Sequence, residues 1–175
     1  MRQPTLLQVA DGEPVLIVDY DPSWPTIFCA FRDQLAEALG PLAIAIEHVG
    51  STAVPGLPAK PIVDLDVVVR AADVAATISA LQSLGYQRVG DLGIEAREAF
   101  RCPPEVPRHH LYVCLEGGTA FLNHLAFRDC LRADAEISRE YAKLKMDLAL
   151  RYRTDRAAYT EAKSAFIASV LERLA

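Results

Sequence analysis

The 175-residue chain carries 18 Lys and Arg against 23 Asp and Glu, giving a formal net charge of −5, and 51% of its residues are hydrophobic. This composition is typical of one globular domain, and we interpret residues 1–175 as a single domain. The acidic balance argues against a nucleic-acid-binding surface. No apolar run approaches the roughly 18 residues of a membrane-spanning helix, and the N-terminus shows no secretory pattern, so we expect a cytoplasmic protein.

The first half of the chain alternates helical and extended patterns. Val15 to Asp19 is predicted to be a short edge strand. Apolar residues then recur at helical spacing from Trp24 to Leu39, after Ser23 as N-cap, and Gly40 ends the helix. Strands are predicted at 43–49 and 62–69, separated by a loop rich in Gly and Pro, and a second helix follows Asp73.

The second half is predicted to contain strands at 86–89, 97–101 and 109–115, with Gly- or Pro-bearing turns between them. One long amphipathic helix is predicted from about Arg128 to Arg151, and another from about Asp155 to the end. The order of elements predicts an α/β (α+β) fold with a mixed β-sheet, flanking helices and a C-terminal helical pair.

The strand at 62–69 carries two carboxylates among β-branched residues. Because side chains two apart share a face, Asp64 and Asp66 lie together, opposite an apolar face that belongs to the core. Two adjacent anions need a cation or exposure. A Mg²⁺ ion bound by Asp64 and Asp66 is one solution, since Mg²⁺ uses one or two protein carboxylates together with phosphate oxygens. The alternative to a metal site is that Asp64 or Asp66 lies at the end of the strand and forms an ion pair with Lys60 or an arginine.

A candidate phosphate-binding loop precedes the carboxylate pair. Gly50, Ser51 and Thr52 follow the strand at 43–49, where glycine permits close approach of the backbone and hydroxyl and amide groups can hold phosphate oxygens. Lys60 would neutralise a phosphate or serve as a structural counter-ion. Metal-assisted displacement at phosphorus needs this combination of carboxylates and phosphate-binding groups.

The four cysteines are scattered, and none forms a Cys-x-x-Cys pair or lies beside a histidine at zinc-finger spacing. Buried, reduced thiols are therefore favoured over a metal site.

The residues from Ile46 to Leu57 (IEHVGSTAVPGL) and from Ala59 to Asp64 (AKPIVD) closely resemble the signature of the GrpB family. Further matching residues lie in HHLYV at 109–113 and at Phe127, Arg128, Asp129, Leu131, Arg132, Tyr141 and Lys145. The resemblance implies a nucleotidyltransferase fold. Because related domains occur fused to dephospho-CoA kinase, it also implies a link to nucleotide or CoA metabolism, including a helper role for a kinase. No P-loop is present.

The resemblance implies the fold but no particular reaction. From the carboxylate pair, the loop and the acidic charge we expect a Mg²⁺-dependent nucleotidyltransferase or related phosphate-handling enzyme acting on a small molecule, with a nucleoside triphosphate as donor. In such enzymes a third carboxylate usually stands on a strand beside the Asp-x-Asp pair, but the strand at 109–115 has none. His110 is instead a candidate metal ligand or general base, or a histidine bonded into the sheet surface. The alternatives are an inactive ligand- or partner-binding module and a metal-dependent phosphate hydrolase.

Other polar residues have competing interpretations. Glu47 and His48 point to opposite faces of their strand, so at most one of them faces the site. Glu47, like His110, is a candidate base for an acceptor hydroxyl. Arg128 is a candidate phosphate ligand, and with Arg132 it is placed to clamp an anion, although salt bridges to neighbouring acids are an alternative. Tyr141 and Lys145 share a helix face, where a lysine extending over a core tyrosine is the simpler interpretation.

Overall fold

The structure, a computed structural model, describes residues 14–174. The expectation that the N-terminus carries no secretory pattern concerns residues that lie mostly outside this range. Five strands and five α-helices follow one another along the described chain. They are α1 (Trp24–Leu39), β1 (Ala45–Val49), β2 (Val63–Val69), α2 (Val74–Ser83), β3 (Gln87–Gly90), β4 (Arg97–Arg101), β5 (His109–Leu115), α3 (Thr119–Ala133), α4 (Ala135–Arg151) and α5 (Arg156–Leu174).

The five strands form one mixed sheet in the order β1-β2-β5-β4-β3. β2 and β5 are parallel, and the other neighbouring pairs are antiparallel. The predicted α/β (α+β) class with a mixed sheet is confirmed. In the register of the central strands, Asp64 pairs with His110 and Asp66 pairs with Tyr112, while Glu47 on β1 pairs with Asp66 from the other side.

One face of the sheet is apolar and carries the main core. Alternation along β2 and β5 places Val63, Leu65, Val67, Val69, Leu111 and Val113 on this face, where α1 and α2 cover them. Leu65 and Val67 are fully buried. The predicted division of β2 into an apolar face and an acidic face is confirmed, and it leaves Asp64 and Asp66 on the side opposite this core.

The segment predicted to be an edge strand makes only an isolated bridge. Val18 and Ala59 exchange two backbone hydrogen bonds of 2.9 Å, and no ladder extends from them within the described chain. Pro58 and Pro61 flank this contact, and because proline lacks a backbone N–H it cannot continue a ladder. The expected strand at Val15–Asp19 is therefore wrong.

The long helix predicted from Arg128 to Arg151 is also wrong, because Asp134 divides it. Asp134 has extended backbone angles, and its Oδ1 accepts hydrogen bonds from the backbone N–H groups of Glu136 (2.9 Å) and Ile137 (3.0 Å). This is an N-cap, so α4 begins at Ala135 and packs back on α3. The predicted start of the last helix near Asp155 agrees with α5.

Helices α3, α4 and α5 lie on the acidic side of the sheet. Their apolar faces meet in a second cluster around Leu57, Leu131, Tyr141 and Phe166, which fixes them against the loop between β1 and β2. None of the described helices combines the length and the apolar character that crossing a bilayer requires.

Candidate active site

A cavity of about 180 Å³ lies between the acidic face of the sheet and helices α4 and α5. Its walls come from distant parts of the chain: the loop after β1, the segment leading into β2, strands β2 and β5, and all three C-terminal helices. Gly50, Ser51, Thr52, Lys60, Asp64 and His110, all predicted from the sequence as site residues, line it. The fold thus gathers most of the predicted site into one cavity.

Asp64 and His110 form a carboxylate–imidazole pair on the cavity wall. The His110 Nδ1–H donates to Asp64 Oδ1 at 2.7 Å, and the exposed fractions of the two side chains are 11% for His110 and 24% for Asp64. Burial alone would raise the pKa of Asp64, but the charge and hydrogen bond of His110, with Lys60 nearby, outweigh it and lower that pKa. Asp64 is therefore ionised near neutral pH, and in a neutral His110 ring this hydrogen bond leaves Nε2 free to accept a proton.

Gly50 is required for the position of the Asp64 side chain. Its φ is +71°, a conformation that glycine adopts readily, and a Cβ on residue 50 would lie 2.9 Å from Asp64 Cγ. The loop backbone thus lies directly against the carboxylate, as the sequence interpretation of this glycine anticipates.

Asp66 is deeper than Asp64 and has different neighbours. It is fully buried, and its Oδ2 accepts a 2.7 Å hydrogen bond from Nδ1 of His124 on α3. Oδ1 is also buried and has no hydrogen-bond partner among the described residues. Cys114 on β5 lies beside it, and burial, with the Asp66 charge, raises the pKa of that thiol. Asp66 does not line the cavity, although His124 does.

Three lysines face Asp64 across the cavity. Lys145 is 2% exposed, lies 4.9 Å above the Tyr141 ring and donates to the carbonyl oxygen of Pro58. Lys60 and Lys163 both contact the ring of Tyr159, at 5.4 Å and 4.5 Å from its centroid. Among the described lining residues, Asp64 is the one carboxylate set against these three cations.

Burial lowers the proton affinity of all three lysines. Burial, and then the charges of Lys163 and Lys60, lower the pKa of Lys145 to about 7. Burial and Lys60 likewise lower the pKa of Lys163 to about 7, and burial lowers the pKa of Lys60. An anion in the cavity would stabilise the charged forms, so the site is electrostatically suited to a ligand with several negative charges.

The hydroxyl groups of the loop differ in their surroundings. Thr52 is buried, and its Oγ1 lies 3.0 Å from Nε2 of His48, so this hydroxyl is already bonded. His48 stacks on Phe28 of α1, and its burial lowers its pKa to about 4. On α5, the buried hydroxyl of Thr160 lines the cavity and has no hydrogen-bond partner within the described part of the chain.

The prediction that Glu47 and His48 face opposite ways is confirmed, and Glu47 is the one on the acidic face. Arg128 Nη1 donates to Glu47 Oε2 at 2.9 Å and to the His48 carbonyl oxygen at 3.0 Å, and its Nε bonds Asp129. Arg132 donates to the carbonyl oxygen of Ala53. Neither arginine lines the cavity, so the structure does not bring Arg128 to the other predicted phosphate ligands.

Sequence reasoning missed His124, Lys163 and Thr160. A signal for Lys163 was present, because Tyr141 and Lys145 on α4 and Tyr159 and Lys163 on α5 repeat the same spacing of four residues. In both pairs the lysine lies over the ring of the tyrosine one turn before it. His124 had no comparable signal, because its partner Asp66 is 58 residues away.

Known proteins with similar structures indicate the fold. The crystal structure of the conserved protein GrpB from Enterococcus faecalis superposes with a TM-score of 0.81 at 32% sequence identity, covering 90% of this chain and 96% of that one. Cid1, a poly(U) polymerase, in complex with its short product ApU superposes with a TM-score of 0.52 at 16% identity, over 74% of this chain and 42% of that one. The fold is therefore nucleotidyltransferase-like.

Similar sequences indicate the family. The UPF0157 protein YqkA of Bacillus subtilis is 34% identical over 159 residues, which are 90% of this chain. The match spans 46% of that relative, so this chain corresponds to about half of its length. Residues 14–173 match the family described as GrpB protein. The chain therefore belongs to the GrpB family.

Proposed function

We propose that the protein is a phosphate-handling enzyme, and specifically that it transfers a nucleotidyl group from a nucleoside triphosphate to a small acceptor. One observation carries the proposal: three lysines, Lys60, Lys145 and Lys163, face the Asp64–His110 pair across a single cavity on a nucleotidyltransferase-like fold. Nucleotidyl transfer needs cations for the phosphates, a carboxylate for a metal ion and a base for the acceptor.

The lysines would bind the triphosphate. Each ammonium donates up to three hydrogen bonds, and the unbonded hydroxyl of Thr160 is a further donor. The net charge of −5 and the small cavity favour a low-molecular-weight acceptor over a polymeric nucleic acid.

A carboxylate that faces the cavity fits a divalent cation. Asp64 lines the cavity with one oxygen held by His110, whereas buried Asp66, the other predicted metal ligand, does not line it. Asp64 would hold Mg²⁺, which when bound would orient the phosphate oxygens and offset the charge that develops during displacement.

His110 would act as the general base. Its Nδ1–H is committed to Asp64, so Nε2 would take the proton of the acceptor hydroxyl while the carboxylate holds the ring and stabilises the imidazolium. The oxygen of the acceptor would form the new bond to the α-phosphorus, and pyrophosphate would leave toward the lysines.

Calorimetry with nucleoside triphosphates and MgCl₂ tests this function. We expect binding that requires Mg²⁺, is lost in Asp64→Asn and falls at least tenfold in Lys163→Met, a loss of about 1.4 kcal/mol. Lys143→Met is the matched control, since Lys143 is exposed on α4 and does not line the cavity. Failure of every nucleoside triphosphate to bind, or equal affinity in Lys163→Met and the control, would contradict the proposal.

A second candidate function is an inactive nucleotide- or partner-binding module. It is favoured by β5, which presents His110 and Tyr112, rather than an acid, opposite Asp64 and Asp66. The nearby third carboxylate, Glu47 on β1, is held by Arg128 away from the cavity. Release of pyrophosphate together with a modified acceptor supports transfer, release of phosphate alone supports hydrolysis, and binding without either product supports the inactive module.

A further inference from the structure

A second cluster of ligating side chains lies beside the cavity, centred on Asp66. Asp66 on β2, Cys114 on β5 and His124 on α3 each offer one ligand atom, and these atoms lie within 4.8 Å of one another. Asp66 and Cys114 are fully buried, whereas the exposed fraction of the His124 side chain is 29%. The cluster is thus closed by the sheet and open only on the side of His124, which also lines the cavity.

A buried carboxylate oxygen without a hydrogen-bond partner in the described chain indicates that this cluster is incomplete. Asp66 Oδ2 accepts from His124, but Oδ1 is buried without a hydrogen-bond partner within the described residues. Leaving a buried polar oxygen unbonded is costly, and an absent ion or water is one of the explanations for such a group in a folded protein. A cation between the three side chains would satisfy it.

The donor atoms select the kind of cation. One oxygen, one imidazole nitrogen and one thiol sulfur form a mixed and partly soft set, which suits Zn²⁺ and related transition-metal ions and is unlike the all-oxygen shell of Mg²⁺. Three protein ligands also leave one coordination position open, as in catalytic zinc sites.

We propose that Asp66, Cys114 and His124 form a binding site for a transition-metal ion of the zinc class, with its open position toward the cavity. On binding, the Cys114 thiol releases its proton to solvent, and the His124 proton moves from Nδ1 to Nε2 so that Nδ1 coordinates the metal. This site goes beyond the proposed nucleotidyl transfer, because it requires neither a nucleotide nor the lysines.

Titration of the metal-free protein with Co²⁺, without added thiols, tests the site, because Co²⁺ bound to a thiolate gives a near-ultraviolet charge-transfer band. We expect one Co²⁺ per chain, appearance of the band, and its loss on adding one equivalent of Zn²⁺ but not excess Mg²⁺. Cys114→Ser should abolish the band, whereas Cys130→Ser, which changes a half-buried thiol on α3 outside the cluster, should retain it.

Three results would overturn the site: no band in the wild type, an unchanged band in Cys114→Ser, or displacement of Co²⁺ by Mg²⁺. Circular dichroism of both serine variants shows whether they fold like the wild type. His124→Asn gives a second test, since it should weaken Co²⁺ binding at least tenfold. Asp64→Asn separates the two proposals, because it should abolish nucleotide binding and leave the cobalt band intact. Nucleotide binding without a cobalt band would contradict this site alone.

Discussion

Gly50 lies against Asp64 so closely that a side chain on residue 50 would overlap the carboxylate, with Cβ 2.9 Å from Cγ. This contact joins the candidate phosphate-binding loop to the candidate metal ligand. Both halves of the site therefore depend on one position that has no side chain.

Gly50→Ala should abolish Mg²⁺-dependent nucleotide binding, because the added methyl group would push Asp64 away from the cavity. Gly56→Ala is the matched control, since Gly56 has a similar φ of +79° but no atom within 4 Å of the point that its Cβ would occupy. Both variants place a side chain at positive φ, so comparing them by calorimetry tests the contact with Asp64 beyond the effect of positive φ. Equal nucleotide affinity in the two variants would show that the contact does not matter.

The stability of the protein should increase with pH above 7 because of Lys145. Its pKa is about 7 in the folded chain against 10.5 in the unfolded chain, so between these values the unfolded chain binds more protons. The free energy of unfolding then rises with pH, by at most about 1.4 kcal/mol per pH unit from this group.

Urea unfolding at pH 7 and pH 9 checks this dependence. From pH 7 to pH 9 the stability of the wild type should increase relative to Lys145→Met, which lacks the titrating group. The difference between the wild type and Lys143→Met should stay constant, because Lys143 is exposed. If the free energy of unfolding changes with pH equally in the wild type and in Lys145→Met, the titration of Lys145 does not cause the pH dependence.

Asp134→Ala should destabilise the protein by about 1 kcal/mol, because it removes the N-cap of α4. Glu140→Ala, an exposed change within the same helix, should have a much smaller effect. Thermal unfolding of both variants measures the difference. If Asp134→Ala and Glu140→Ala lower the stability by similarly small amounts, the N-cap does not contribute and tertiary packing alone separates α3 from α4.

Arg128→Met should lower stability more than it lowers nucleotide affinity, because Arg128 is bonded to Glu47 and to the backbone of β1. A double-mutant cycle with Glu47→Gln should show a favourable coupling of roughly 0.5–1 kcal/mol. The prediction that Arg128 binds phosphate gives the opposite result, a large loss of nucleotide affinity with little loss of stability.

Local patterns explain what the sequence could predict. Alternation along β2 predicted that the apolar residues and the two carboxylates, Asp64 and Asp66, lie on opposite faces. The Gly- and Pro-rich segment after β1 indicated a loop that begins at Gly50. The break at Asp134 escaped prediction, because the apolar periodicity of α3 and α4 continues through it and an aspartate within a charged helix resembles a solvated residue.

The remaining site residues come together only through tertiary packing. Asp66 and His124 are 58 residues apart, and the orientation of α3 over the sheet brings their side chains into contact. Lys60 and Lys163 meet on the ring of Tyr159 because α5 folds back over the segment before β2. Hydrophobic periodicity identifies α5 as a helix but gives no information about which element it covers.

The division of the site between sheet and helices has an evolutionary consequence. The carboxylate pair and His110 belong to β2 and β5, which are fixed by the central core, whereas Lys145, Thr160 and Lys163 belong to α4 and α5. Substitutions on the two helices can reshape ligand preference without disturbing the strands. Under the proposed function, family members that bind different anions would differ on these two helices and retain the residues of β2 and β5.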